Sequence, residues 1–316
     1  MAAPTPVSAL VHSSTLVTAG VYLLIRHNFF VYINGSTSLV FWLGLITIVI
    51  AGGSALFEID IKKVIALSTL RQLGVIFFSL GLCLPYLTFF HLICHAYFKA
   101  MLFIAAGAII HRVKDYQDIR KIGTKASTFP LLGAVVLIAN LSLCGFPFIA
   151  GFYSKDSILE IMMMSRVGVI SFILALLGTG LTVIYSVRLS LGILGVKSGR
   201  EVLSQESEMP NLIILGMGVL IIPSVLGGWF FRGSISVGPL VYLRGAEKLF
   251  IIRMVLLLGV IFLTGGVLLS PLVPRMRLLH QIWFLPLTLR AVNTQIGLKY
   301  GKILLKGRDL TWAQIV

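Results

Sequence analysis

The segment Tyr86–Ile110, YLTFFHLICHAYFKAMLFIAAGAII, decides how this chain folds. It is almost wholly apolar, and it is long enough to cross the hydrocarbon core of a bilayer as a helix, which takes about 20 residues. It nevertheless contains His91, His95 and Lys99, and their four-residue spacing places all three on one face of a helix. An ammonium group in hydrocarbon costs at least ~2.5–3.5 kcal/mol, so these side chains must face protein or water and are candidates for function.

The whole chain has the composition of a polytopic membrane protein. Hydrophobic residues make up 58% of it, charged residues make up 12%, and the mean hydropathy is +1.00. A soluble domain of 316 residues could not bury so much apolar surface. The net charge of +15 would suggest nucleic-acid binding in a soluble protein, but most of these cations lie between or beyond apolar runs. We therefore predict an all-α helix bundle in a lipid bilayer, and we exclude nucleic acid as a partner.

Apolar runs of bilayer length predict about eight transmembrane helices, one of them discontinuous. The predicted spans are 7–25, 39–57, 64–84, 86–110, 129–164, 167–194, 212–231 and 250–272. In the fifth span, Gly145 and Pro147 interrupt the run and Lys155 follows soon after, which indicates a broken helix whose irregular backbone lines a cavity. A single helix to Cys144, followed by a loop and a short amphipathic helix, fits the same residues, and the sequence leaves both interpretations open.

Lysine and arginine are unevenly divided between the two sides of the predicted bundle. Sixteen lie on the side that holds the turns at 58–63, 111–128 and 196–209 together with the tail, and six lie on the other side. This bias supports eight crossings, and it places the richer side in the cytoplasm or a matrix.

The polar face of 86–110 suits proton transfer better than metal binding. His91 and His95 could bind zinc, but the glutamate of the HExxH motif is absent and no third ligand is evident, so we predict no metal site. Burial and neighbouring imidazolium charge would both favour the neutral amine of Lys99, so that it could exchange a proton near neutral pH. Hydrogen-bonded core histidines are the structural alternative, which is weak for two histidines and a lysine on one face.

Two further polar sites are candidates for the same chemistry. His12 stands beside three hydroxyl residues inside the first span and could form a hydrogen-bonded proton station, although such residues also hold membrane helices together. Lys155 and Asp156 follow the break in the fifth span, where water and open backbone would suit a titrating lysine. A charge pair at the membrane surface is the alternative for those two residues.

Two arginines also lie within predicted spans. Arg71 is midway along the third span, and we expect Gln72 and Ser68 to bind it. Arg188 lies near the end of the sixth span, where an extended side chain can reach the surface. The chain shows no nucleotide-binding loop and no Ser–His–Asp or Cys–His arrangement, so we predict that it binds no NAD, flavin or iron–sulfur cluster itself.

Four segments resemble signatures of one family, the chain 5 subunits of NADH–ubiquinone oxidoreductase, which are the distal antiporter-like subunits of respiratory complex I. They are Pro4–Thr15 (PTPVSALVHSST), His91–Phe103 (HLICHAYFKAMLF), Asp118–Lys121 (DIRK) and Gly151–Asp156 (GFYSKD). They occur in the order and spacing of the family and cover residues 1 to about 165, whereas the remainder fits only in its hydropathy pattern.

The resemblance implies a proton channel without redox centres, in the mitochondrial inner membrane, with the basic side facing the matrix. NADH, FMN, iron–sulfur clusters and ubiquinone would be bound by other subunits, whose electron transfer is coupled to protonation changes in this chain. The implied proton relay falls on six residues: His12, His91, His95, Lys99, Lys155 and Asp156. Lys155 corresponds to the terminal lysine of the exit half-channel, and the other lysine and the histidines belong to a polar axis in mid-membrane.

The same resemblance divides the chain into three parts. They are an antiporter-like core at 1–194, peripheral transmembrane helices at 195–272 and a basic amphipathic matrix-side segment at 273–316. The implied partners are other membrane subunits of the complex, especially the neighbouring antiporter-like subunit, with lipid, protons and water. Members of the family carry further spans before the first motif, including a glutamate and a lysine of the uptake half-channel. We therefore expect this chain to be a fragment, or one part of a split subunit.

Two other functions are compatible with such a bundle. A subunit of a multi-subunit cation/proton antiporter shares the fold, but Tyr97, Phe98 and the loop 118–121 favour the complex I subunit. A non-transporting scaffold would pair its buried charges in inert salt bridges. Lys99 has no acidic residue within two turns of its own helix, which argues against the scaffold.

Overall fold

The computed structural model describes residues 7–113, 116–122, 130–165, 168–194, 211–234 and 245–269, and it contains no β-sheet within those ranges. A π-helical stretch, Ser8–Thr15, runs directly into the first α-helix. The α-helices are α1 Leu16–Arg26, α2 Asn28–Ile33, α3 Thr37–Phe57, α4 Ile61–Gly81, α5 Pro85–Arg112, α6 Ile119–Ile122, α7 Pro130–Cys144, α8 Ala150–Met164, α9 Val169–Leu194, α10 Asn211–Ser234 and α11 Gly245–Leu269. The prediction of an all-α bundle is confirmed.

Within the described residues, five helices are long and apolar enough to cross a membrane, namely α3, α4, α5, α9 and α10. The other three predicted spans coincide with shorter apolar helices, Ser13–Arg26, Pro130–Cys144 and Leu249–Ile261. The predicted segment 273–316 lies outside the described residues. Two short helices, α2 and α6, were not predicted, because neither is long enough to produce an apolar run of its own.

Helices α4 and α5 form the centre of the described bundle. They are the two most buried of the five long helices, and they pack against each other and against several further helices. Pro85 occupies the first turn of α5, where its missing N–H group leaves no hydrogen bond unmade. Since α5 is enclosed by protein, its polar face meets other helices instead of lipid.

The fifth predicted span is two helices, α7 and α8, separated by residues 145–149. The break begins as a helix C-cap: Gly145 has a left-handed φ of 83°, and the N–H of Phe146 donates to the carbonyl oxygen of Leu141 at 3.0 Å. The second helix is not a surface amphipathic segment, because its buried face includes Ala150, Ser154 and Lys155. The structure therefore favours the discontinuous helix over the simple loop.

The two halves of this broken helix approach each other very closely at one point. A Cβ atom on Gly151, in the first turn of α8, would collide with the backbone carbonyl of Ser142 in the last turn of α7. Glycine allows this contact because it has no side chain. The approach fixes where the first turns of α8, and hence the side chain of Lys155, lie relative to the end of α7.

Candidate buried polar site

The three polar residues of α5 are all enclosed within the protein. The exposed fractions of His91, His95 and Lys99 are 1%, 0% and 0%. The four-residue spacing does place them on one buried side of the helix, as the sequence predicts. The three side chains differ in their hydrogen-bond partners, and this difference determines which protonation states each of them can adopt.

His91 connects three helices through its two ring nitrogens. Its Nδ1 lies 2.9 Å from the hydroxyl oxygen of Ser154 on α8, and its Nε2 lies 3.3 Å from the amide oxygen of Gln72 on α4. An amide oxygen only accepts, so Nε2–H donates to Gln72, while the serine hydroxyl can either donate or accept. Neutral and protonated His91 can therefore both be satisfied in this one position.

Lys99 is held by uncharged groups. Its ammonium donates to the hydroxyl of Ser68 and, at 3.4 Å, to the carbonyl oxygen of Ile65, both on α4. Among the described residues no carboxylate lies within ion-pairing distance of this amine. A buried ammonium without a counter-ion is easily neutralised, since losing the proton removes the cost of burying its charge.

His95, between those two residues, has no hydrogen-bond partner for either ring nitrogen in the described part of the chain. Its ring lies against that of Phe98, with the ring centroids 5.5 Å apart and the planes almost perpendicular. Buried polar groups are nearly always bonded to protein or to water, and leaving one unbonded costs about 1–3 kcal/mol. The imidazole of His95 therefore has hydrogen-bonding capacity that no other described side chain uses.

Lys155 lies at the break between α7 and α8 and is only 3% exposed. Its Nζ donates to the carbonyl oxygen of Cys144 and to the hydroxyl of Thr182 on α9, each at 3.0 Å. Cys144 is the last residue of α7, and the carbonyl groups at the end of a helix carry partial negative charge. The broken helix therefore supplies a partner for the ammonium that an unbroken helix would have used internally.

Asp156 is buried beside Lys155 without bonding to it. Its exposed fraction is 7%, and no ion pair joins the two side chains within 4.0 Å in the described structure. Both side chains pass close to Gly145, at the start of the break. The alternative interpretation, a charge pair at the membrane surface, does not describe the structure, since both residues are enclosed.

The side chain of His12 lies outside the described residues, so the structure does not place that candidate. Its backbone belongs to the π-helical stretch Ser8–Thr15, which packs against α5. Short π-helical segments occur frequently at functional sites. The threonine Thr18 bonds to the carbonyl oxygens of Ser14 and Thr15 at 2.5 and 3.1 Å, so it supports the helix that carries His12.

The prediction that Gln72 and Ser68 bind Arg71 was wrong. Gln72 and Ser68 bind His91 and Lys99, and the guanidinium of Arg71 turns towards α9, where its Nε and Nη2 donate to the carbonyl oxygen of Gly178 at 3.1 and 2.6 Å. The four-residue spacing of Ser68 and Gln72 on one helix face was the signal that could have identified them as partners of the α5 face.

Two further partners were not identified from the sequence. Ser154 immediately precedes Lys155 and bonds to His91, whereas Thr182 bonds to Lys155 from a distant part of the chain. The position of Ser154 next to a candidate lysine was a signal for it. Nothing in the sequence pairs Thr182 with Lys155, because only the packing of α9 against α8 brings them together.

The polar line so formed runs through α4, α5, α8 and α9. It consists of protonatable side chains and hydroxyl or amide groups enclosed by apolar helices, and no group of three His, Cys, Asp or Glu residues that could hold a metal ion lies among the described residues. Fold and site together define the class as a polytopic α-helical membrane protein with protonatable groups buried between its spans.

The particular family follows from comparison with known proteins. The chain belongs to the family described as NADH:quinone oxidoreductase/Mrp antiporter, transmembrane, whose model matches residues 1–182. The chain is 40% identical to NADH-ubiquinone oxidoreductase chain 5 of Anopheles gambiae, over 99% of this chain and 56% of that protein. It is 55% identical to chain 5 of Aedes aegypti, over 60% of this chain and 33% of that protein. The family resemblance is confirmed, and the chain spans about half the length of the curated relatives it matches.

Solved structures agree on the fold. A chain of the Mrp complex from Dietzia sp. matches with a TM-score of 0.74 and 25% identity, over 98% of this chain and 36% of that chain. A chain of an archaeal membrane-bound sulfane sulfur reductase matches with a TM-score of 0.63 over 82% of this chain and 52% of that chain. At 22% identity the second likeness concerns the fold alone.

Proposed function

We propose that this chain is a proton-translocating membrane subunit of NADH:ubiquinone oxidoreductase, respiratory complex I, in the mitochondrial inner membrane. It would act as part of a translocase while NADH, FMN, iron–sulfur clusters and ubiquinone are bound by other subunits. Its partners would be other membrane subunits of the complex, above all a neighbouring antiporter-like subunit. Membership of the family and the chain 5 relatives support the proposal.

One observation carries the proposal. Lys99 and Lys155 are both buried, both are bonded only to uncharged groups among the described residues, and His91 lies between them. A structural lysine in such a place would be paired with a carboxylate, because an unpaired buried charge is costly. An amine that must gain and lose a proton during turnover needs partners that suit both forms, and hydroxyl and carbonyl oxygens do so.

The proposed relay follows the buried face of α5 and then crosses to α8. Lys99 passes a proton towards His95, and His95 passes it towards His91, since the three side chains lie on successive turns of one helix face. His91 bonds directly to the hydroxyl of Ser154, which immediately precedes Lys155 on α8. Release of the proton from Lys155, assisted by Asp156, completes the transfer. His12 would join the same line from the helix packed against α5.

A cation/proton antiporter is the second candidate. The likeness to a chain of the Mrp complex favours it, since that fold match extends over nearly the whole chain. The relay described above would serve either function, because both move protons through the membrane. They differ in what drives the protons and in whether a metal cation moves in exchange.

The test is reconstitution of the intact respiratory complex that contains the full-length subunit into sealed liposomes. We expect NADH oxidation by ubiquinone to acidify one side, with the pH gradient abolished by a protonophore and unaffected by a sodium ionophore. A gradient that depends on sodium and not on NADH would support the antiporter. Electron transfer with no proton movement, under conditions that keep the liposomes sealed, would contradict the proposed function.

A further inference from the structure

Arg71 is the buried cation that the proposed relay does not use. It is completely enclosed, midway along α4, and its bonds to the carbonyl oxygen of Gly178 hold it in one position. The third guanidinium nitrogen, Nη1, has no hydrogen-bond partner among the described residues. Unlike lysine, arginine keeps its proton under all physiological conditions, so Arg71 is a permanent positive charge and cannot itself pass a proton on.

The charge of Arg71 lies close to two groups of the proposed relay. Arg71 and Lys155 line the same small cavity, together with Thr179 and apolar side chains. Arg71 also immediately precedes Gln72, the partner of His91. A permanent charge therefore lies beside the two protonatable groups between which the proton is proposed to pass, and the apolar surroundings screen it little.

Several other charged or titratable groups lie around Lys155 and Arg71, and none of them forms an ion pair with Arg71 within 4.0 Å in the described structure. They are His91 on α5, Cys144 on α7, Asp156 and Glu160 on α8 itself, and Tyr185 on α9 next to Arg71. His91, Cys144 and Tyr185 are neutral in their ordinary forms at neutral pH. Asp156 is the acidic neighbour of Lys155, and no ion pair within 4.0 Å joins it to Lys155 or to Arg71 in the described structure.

We infer that Arg71 is a positioning residue for the proton relay: its fixed charge, anchored on Gly178, makes Lys155 release its proton more readily. The inference rests on the proposed function, because it assigns a role only if Lys155 is loaded and unloaded during turnover. A like charge disfavours the protonated form of a neighbouring amine, which promotes release at the end of the relay. The anchoring bonds keep the distance constant, so the effect does not depend on the motion of a flexible side chain.

The test compares Arg71→Gln and Arg71→Lys in the full-length subunit, within the intact complex in sealed liposomes. Glutamine can still donate to the Gly178 carbonyl but has no charge, whereas lysine is charged only while it holds its proton. We expect the pH profile of NADH-driven proton translocation to shift by about one pH unit towards alkaline pH in Arg71→Gln and to shift less in Arg71→Lys, whose amine carries charge for part of the time. Arg188→Gln is the matched control, because Arg188 also bonds to a backbone carbonyl, that of Leu56, and should leave the profile unchanged.

A wild-type pH profile in an assembled Arg71→Gln complex would overturn the inference. If that variant does not assemble, Thr179→Glu places a carboxylate at the same cavity and should produce the same alkaline shift. An unchanged profile in the assembled Thr179→Glu complex would equally overturn it. Failure of the proposed function is distinguishable, since the wild-type complex would then move no protons, or Lys155→Ala would leave translocation intact.

Discussion

The ammonium of Lys155 lies 3.0 Å from the carbonyl oxygen of Cys144, the last residue of the helix that ends before it. The contact spans the whole break between α7 and α8 and joins the end of one half of the discontinuous helix to the second turn of the other. A helix C-terminus stabilises a cation through its unpaired carbonyls, here within a buried site. The interruption of the helix and the presence of a buried lysine are therefore parts of one structural arrangement.

Replacement of Lys155 should impair proton translocation far more than replacement of Arg188. Lys155→Ala removes the amine at the break, and loss of a positioned proton donor or acceptor typically lowers a rate by about 10²–10⁴-fold. Arg188→Ala removes a bond to the end of α3 and leaves the polar line untouched. Proton uptake per NADH oxidised, measured in liposomes, gives the comparison. Equal and negligible effects of the two substitutions would mean that the broken helix has no special role in proton translocation.

Lys99→Ala should lower translocation coupled to NADH oxidation while the complex still assembles. The amine is bonded to Ser68 and Ile65 only, so its removal leaves no buried charge unpaired among the described groups. Lys63→Ala is a control at the membrane surface, where Lys63 forms ion pairs with Asp60 and Glu58 at 2.7 and 3.5 Å. Native electrophoresis measures assembly, and a pH-sensitive dye measures translocation. Normal pumping by an assembled Lys99→Ala complex would exclude Lys99 from the relay.

His91 allows a structural role to be separated from a proton-transfer role. His91→Gln keeps a side chain that can bond to Gln72 and Ser154, whereas His91→Leu loses both bonds. We expect both variants to lose translocation, because glutamine does not titrate, and we expect only His91→Leu to lower the thermal stability of the complex. Restoration of pumping by His91→Gln would mean that His91 serves only to hold α4, α5 and α8 together.

The sequence predicted the helices and the buried candidates well, and it predicted their partners poorly. Hydrophobic length and the one-face spacing of His91, His95 and Lys99 follow from local geometry, which a sequence contains directly. Partners depend on how helices pack against each other, so Gln72 was assigned to Arg71 when it in fact bonds to His91. The Lys155–Thr182 contact could not be predicted for the same reason, since it joins residues of two different helices.

The close approach at Gly151 gives a prediction about folding that is independent of proton chemistry. In Gly151→Ala the new Cβ would overlap the carbonyl of Ser142, so α8 would have to move away from α7. Forced repacking of this kind typically costs about 1–3 kcal/mol. The displacement would also draw Lys155 away from the carbonyl of Cys144, so we expect translocation to fall together with thermal stability.

Gly20→Ala is the matched control for this substitution, because a Cβ at Gly20 in α1 would meet nothing within 4 Å. Alanine in an exposed helix is more favourable than glycine by about 1 kcal/mol, so that variant should be as stable as the wild type or slightly more stable. Thermal inactivation of the purified complex gives the measurement for both. If Gly151→Ala retained both wild-type stability and wild-type pumping, the contact between α7 and α8 would not determine the position of Lys155.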